Sequence, residues 1–141
     1  MRKIITIALI VCLVGMLVIQ LVPYGRNYTN PPVVQEPAWD SPATRALAVR
    51  ACFDCHSNET IWSWYSRIAP ASWLVAHDVD EGRDYLNFSD WLPGNVDPDD
   101  VQEVIQNGEM PPAQYKLMHK GARLTEAERQ QLLDGLLKTL Q

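Results

Sequence analysis

Cys52, Cys55 and His56 form a Cys-x-x-Cys-His run within Ala51-Cys52-Phe53-Asp54-Cys55-His56-Ser57. This spacing is the attachment signature of c-type haem. Two thiols separated by two residues can each form a thioether with one vinyl group on the same edge of a porphyrin. The adjacent imidazole is then presented beneath the iron as its proximal ligand. With 3 Cys and 3 His in 141 residues, chance gives such a run in about one chain in a thousand. Three other chemistries compete. A redox-active dithiol belongs beside a βαβ pattern, which the sequence lacks. A closed zinc site needs four ligands, yet there is no second Cys pair and His77 and His119 are isolated. A plain disulfide would need an oxidising compartment.

A six-coordinate iron needs a second axial donor. Gly108-Glu109-Met110-Pro111-Pro112 puts a methionine in a proline-constrained loop just after a helix end, where a stiff backbone can hold a weak thioether donor. Met110 is therefore the expected distal ligand. The rivals are His119, His77 and an open position, and the ordinary alternative for Met110 is to fill a core. A His/Met pair would raise the reduction potential relative to His/His.

Helices are the elements that must position these groups, because no segment alternates apolar and polar residues and no internal repeat is visible. Ser41-Pro42 supplies a cap and a first-turn proline for a helix running into Cys52, with Ala43, Leu47 and Ala51 on one face. A second helix is expected over Ser72 to Leu86, after the breaking Pro70. Asp97-Pro98-Asp99-Asp100 opens a third, which Asn107-Gly108 ends. Thr125 and Glu128 form a capping-box pattern before a last helix striped by Leu132, Leu133, Leu136, Leu137 and Leu140. Four short helices in about a hundred residues bury little surface, so a cofactor is expected to complete the core. Trp62, Trp64, Tyr65, Trp73 and Trp91 could wall a macrocycle, and Arg50 or Arg67 could pair with a propionate.

The N-terminus carries an address. Arg2 and Lys3 precede Ile4 to Val22, 19 residues of which only Thr6, Gly15 and Gln20 are not apolar. As a helix this stretch covers about 28 Å, enough to span a bilayer once. No small-x-small cleavage site follows it, which favours an uncleaved anchor over 1–25. Cys12 is read as an apolar filler within it. The positive-inside tendency keeps Arg2 and Lys3 cytoplasmic and puts the rest on the extracytoplasmic, periplasmic side. Residues 26–40, with Pro31, Pro32 and Pro37, read as a tether to a domain over 41–141. The net charge is -5, with none of the basic stripe that nucleic acid binding requires. Asp78 to Glu103 holds nine acids against Arg83 alone, a solvated face or a docking surface for a basic redox partner.

With these residues in view, the chain resembles the bacterial haem-binding domain family of small, membrane-anchored c-type cytochrome-like proteins. The matching stretches are Cys52 to Thr60, Trp62 to Tyr65, Ile68 to Leu74, Glu81-Gly82-Arg83, Leu86 to Ser89, Gly108 to Pro112, and His119 with Ala122-Arg123-Leu124. The resemblance implies covalent haem on Cys52 and Cys55, with His56 as proximal ligand. A looser similarity to class I cytochromes c lies in the order helix, Cys-x-x-Cys-His, Met-Pro loop and final helix, and it favours Met110. A departure is the insertion from Ala113 to Leu124, which lets His119 compete. The expectation is an all-α, cytochrome c-like domain around one covalent haem c, preceded by a single transmembrane helix and carrying single electrons between redox proteins. No catalytic residue is assigned. The alternatives are a haem-based sensor or small-ligand binder, a peroxidase-like enzyme, and a structural haem protein.

Overall fold

The computed structural model describes residues 1–140. The described chain is helical, with no strand beyond one isolated bridge between Gln35 and Asp90. The all-α expectation holds. The chain divides into two compact units, one of residues 1–29 and 62–78 and one of residues 30–61 and 79–140.

The first unit is built on α1 (Arg2–Ile19), whose side chains are unburied throughout. A helix that is apolar on every face and covered by no protein has the composition of a membrane span. Its length and hydropathy are sufficient for one crossing. At its C-terminal end Gln20 donates from Nε2 to the Ala69 carbonyl at 3.0 Å and accepts the Ala69 N–H on Oε1 at 3.0 Å. One side-chain amide thus satisfies both polar groups of a backbone residue that has left regular structure. Gly25 follows with φ +70°, and a β-carbon there would come within 2.6 Å of the Ser72 carbonyl oxygen. Only glycine tolerates both the left-handed backbone and the close approach. Tyr28 lies edge-on to Trp62 at 5.7 Å, with the Arg67 guanidinium 5.1 Å above its ring. The unit closes with a 3-10 turn, Trp64–Arg67, and the start of α4 (Ala71–Tyr85).

The second unit holds most of the apolar core. It contains α2 (Pro42–Ala51), the single turn α3 (Phe53–His56), the end of α4, α5 (Pro98–Gln106), α6 (Ala113–Met118), a 3-10 turn (Lys120–Ala122) and α7 (Glu126–Thr139). The four helices read from capping signals are present to within a residue or two; α3 and α6 are additional. Ser41 accepts the Thr44 N–H at 3.2 Å, Asp97 accepts that of Asp99 at 2.9 Å, and Thr125 and Glu128 exchange both bonds of the capping box. These side chains satisfy amides that the first turn leaves open. Arg129 serves the other end of α5, donating from Nη1 to the carbonyls of Ile105 and Gln106 at 3.0 and 2.9 Å.

Leu132, Leu133 and Leu136 of α7 pack with Leu47 and Ala48 of α2, Val101 and Ile105 of α5, and a stack of Phe53 on Phe88 at 5.6 Å. On α2 the expected inward face is shifted: Ala43 is exposed and Thr44 is buried. The cause is Gly135 of α7, which has no β-carbon and admits the Thr44 side chain against the helix backbone. Residues 30–39 form no helix and are hydrogen-bonded to the rest of this unit. Val34 donates its N–H to the Ser89 carbonyl at 2.8 Å, and the Gln35 carbonyl accepts that of Trp91 at 3.0 Å. Trp39 lies 5.0 Å from Phe88 and donates from Nε1 to Glu36, which also holds Arg45.

Candidate functional site

The cysteine and histidine residues sit where α2 hands over to α3. Cys52 ends α2, its N–H bonded to the Ala48 carbonyl at 2.8 Å, and its own carbonyl accepts the N–H groups of Cys55 and His56 at 3.1 and 2.9 Å. That single turn gathers both thiols and the imidazole on five consecutive residues. Beyond it, Ser57 bonds back to the Phe53 carbonyl at 2.7 Å, and the Asn58 N–H donates to Ser89 at 3.0 Å. Arg83 ties down the exit. Its Nε donates to the Ser57 carbonyl at 2.8 Å, and Nη2 to Asn30 and Thr60 at 3.0 and 2.9 Å.

The imidazole of His56 is fixed from one side. Its Nδ1 lies 2.9 Å from the carbonyl oxygen of Gly82, in the last turn of α4, and 3.0 Å from that of Leu86, the residue just after the helix. Two carbonyls can only accept, so Nδ1 carries the hydrogen. Burial pushes the His56 pKa below the usual histidine value, which keeps the ring neutral and leaves the Nε2 lone pair available. A metal-binding histidine has this arrangement, with one nitrogen donating to a carbonyl and the other free to ligate. The ring approaches these carbonyls because α4 comes very near the run at Gly82. A β-carbon there would lie 2.6 Å from the Cys55 carbonyl oxygen.

The thiols are unbridged. Burial, reinforced by Cys55, pushes the Cys52 pKa up to about 12. A redox dithiol depends on a depressed thiol pKa, so this environment does not favour that chemistry. Among the described residues no three His, Cys, Asp or Glu side chains converge, whereas a closed zinc site takes four protein ligands. A haem iron makes no such demand, since the porphyrin supplies four nitrogens. Two thiols and a neutral, oriented imidazole on one turn fit the haem reading.

A second cluster borders the run. Asp54, between the two cysteines, accepts the Ile61 N–H on Oδ1 at 2.9 Å and the Tyr115 hydroxyl on Oδ2 at 2.8 Å. His119 stacks on Tyr115 at 4.0 Å, with its Nε2 3.7 Å from the same Asp54 oxygen. Burial and the Asp54 carboxylate push the Tyr115 hydroxyl pKa well up, so it remains a hydrogen-bond donor. Met110 lies elsewhere on the chain, in the loop between α5 and α6. Its N–H is bonded to the Val104 carbonyl at 3.0 Å and the residue is 39% exposed. His77 is exposed on α4. Arg50 is engaged by the Gly121 carbonyl and Glu128. The indole N–H groups of Trp62 and Trp73 are buried in the first unit without an acceptor.

Sequence reasoning assigned no role to Gly82, Leu86 or Tyr115. Gly82 and Leu86 act through backbone carbonyls, which any residue carries. Tyr115 and His119 do have a signal, since they lie four residues apart after Pro111-Pro112, the spacing of one helical face.

An all-α chain presenting two thiols and a carbonyl-locked imidazole on a single turn defines the class of haem-binding proteins. The sequence model of the haem-binding domain family matches residues 14–138, nearly the whole chain, and the chain belongs to that family. No curated protein and no solved structure matches it.

Proposed function

We propose that this protein is a membrane-anchored, extracytoplasmic monohaem c-type cytochrome that passes single electrons between redox proteins. The observation that carries the reading is the His56 ring, held through Nδ1 by Gly82 and Leu86 with Nε2 free, inside a Cys-x-x-Cys-His run. Cys52 and Cys55 would tether the group, and His56 would be its proximal ligand. Bound haem would supply a one-electron ferric/ferrous couple. The residues themselves do the positioning: α2 and α3 fix the thiols, and α4 sets the ring plane. Hydrogen bonding of Nδ1–H to carbonyls raises the basicity of the opposite nitrogen.

Met110 is the proposed distal donor. Its loop is pinned by the bond to Val104 and stiffened by Pro111 and Pro112. The α1 helix would cross the membrane once, with Arg2 and Lys3 on the cytoplasmic side. The acidic stretch from Asp78 to Glu103 would meet a basic partner and speed encounter through complementary charge.

The test is expression of the full chain in a host that attaches haem c, followed by haem staining after denaturing electrophoresis. The wild-type chain is expected to keep its haem, and the Cys52→Ser/Cys55→Ser double variant to lose it. Loss of haem from the denatured wild-type chain would overturn the covalent reading. Reversible one-electron voltammetry of the holoprotein tests the carrier role, and peroxide turnover by it would favour an enzyme instead.

A further inference from the structure

The Gln20 clamp says where part of the protein sits once α1 is in a membrane. At 1.5 Å per residue, Ile4 to Ile19 of α1, the part beyond the charged Arg2 and Lys3, covers about 24 Å, and the apolar Leu21 and Val22 carry the stretch to about 28 Å, close to the hydrocarbon thickness. Gln20 therefore falls at the edge of the apolar layer, and its two bonds hold Ala69 at that level. The residue before Ala69 is Ile68, 48% exposed, and the 3-10 turn before that presents Trp64 at 71% exposed. A 3-10 turn rises about 2 Å per residue, so Trp64 lies within roughly 10 Å of the clamp along the chain.

An exposed Trp and Ile in water leave apolar surface unsatisfied. At the headgroup level an indole places its ring among acyl ends and its N–H in a polar layer. The flanking charges agree. Arg26 and Arg67 are both exposed in the same unit, and the Arg67 guanidinium rests over Tyr28 at 5.1 Å. No acid occurs between Val22 and Thr29 or between Ile61 and His77, so nothing in these segments repels lipid phosphates.

We infer that Trp64, Ile68 and Arg67 form a lipid-contacting face: the first unit rests in the headgroup layer beside the end of α1 instead of hanging clear of it. The occupant is the bilayer surface, identified by the continuity of this face with the spanning helix through Gln20. The inference rests on α1 crossing the membrane, and the test separates the two.

The photoreactive residue p-benzoylphenylalanine is placed singly at positions 13, 64 and 68 of the full-length holoprotein. Each variant is reconstituted into bilayers of phosphatidylethanolamine and phosphatidylglycerol, irradiated and analysed by mass spectrometry. Lipid adducts at all three positions are expected. An adduct at 13 with none at 64 and 68 leaves the anchor intact and overturns the inference. Protein adducts at 64 and 68 in place of lipid also overturn it, in favour of a protein partner. No lipid adduct at 13 overturns the spanning reading and this inference with it.

Discussion

Gly82 approaches Cys55 so closely that a β-carbon built on it would fall 2.6 Å from the Cys55 carbonyl oxygen and 3.0 Å from the carbonyl carbon. This contact sets the distance between α4 and the Cys-x-x-Cys-His turn, and with it the bond from His56 Nδ1 to the Gly82 carbonyl.

The substitution Gly82→Ala should therefore destabilise the protein. In an unobstructed helix interior alanine gains about 1 kcal/mol over glycine. Here the obstructing atoms are backbone, which cannot swing aside, and overpacking costs about 1–3 kcal/mol. With backbone unable to yield, the upper end of that cost applies, and after the helix gain a net loss of about 2 kcal/mol in denaturant unfolding of the holoprotein is the expected result. An unchanged or higher midpoint would show that the two segments separate freely.

Met110→Ala should open the distal position. The reduced variant is expected to bind carbon monoxide, with a marked shift of its absorption bands, while the wild-type spectrum stays unchanged. His119→Ala should leave the spectrum as it is, because its Nε2 faces Asp54 and its ring is stacked on Tyr115. The reverse pattern, with His119→Ala opening the site, would transfer the ligand role to His119.

Acid sensitivity should depend in part on Glu128. Its pKa is lowered from 4.5 to about 2, first by the hydrogen bond from Arg50 and then by the Thr125 backbone and hydroxyl. A carboxylate held below its unfolded value contributes stability that is fully present above pH 4.5 and lost as the pH falls toward 2. Glu128→Gln should then be less stable than wild type at neutral pH, with the two stabilities converging as the pH approaches 2. Parallel urea-midpoint curves across that range would exclude the pairing as a contributor.

Gln20→Ala should loosen the junction below α1 without removing the helix. The Ala69 N–H loses its acceptor, and at about 1 kcal/mol per hydrogen bond its amide exchange should accelerate about fivefold or more. Hydrogen–deuterium exchange on the full chain in detergent or bilayer reads this directly. Unaltered protection at Ala69 would mean that the surrounding contacts hold the segment unaided.

What was legible in the sequence was local. Cys52, Cys55 and His56 are neighbours along the chain, so their chemistry could be read without knowing the fold. The starts of α2, α5 and α7 were marked by Ser41-Pro42, Asp97-Pro98 and the Thr125–Glu128 pair, whose side chains act within a turn of where they stand. The surroundings of the site were not legible for the opposite reason. His56 is oriented by carbonyls 26 and 30 residues away, and Asp54 is met by a hydroxyl 61 residues away. The short helix α6 escaped notice because six residues carry too little periodicity to stand out. Thr44 was missed as a core residue because its place depends on the missing side chain of Gly135.

The close packing of α2 on α7, where Thr44 meets Gly135, has a consequence for the order of events during synthesis. The last helix to be made is the one against which α2 must settle, and the Cys52–His56 turn begins where α2 stops. In the proposed topology α2 lacks the surface that Thr44 packs against until residues near 135 have crossed the membrane. In the proposed reading, attachment of haem to Cys52 and Cys55 would thus have its widest access before α7 closes on α2.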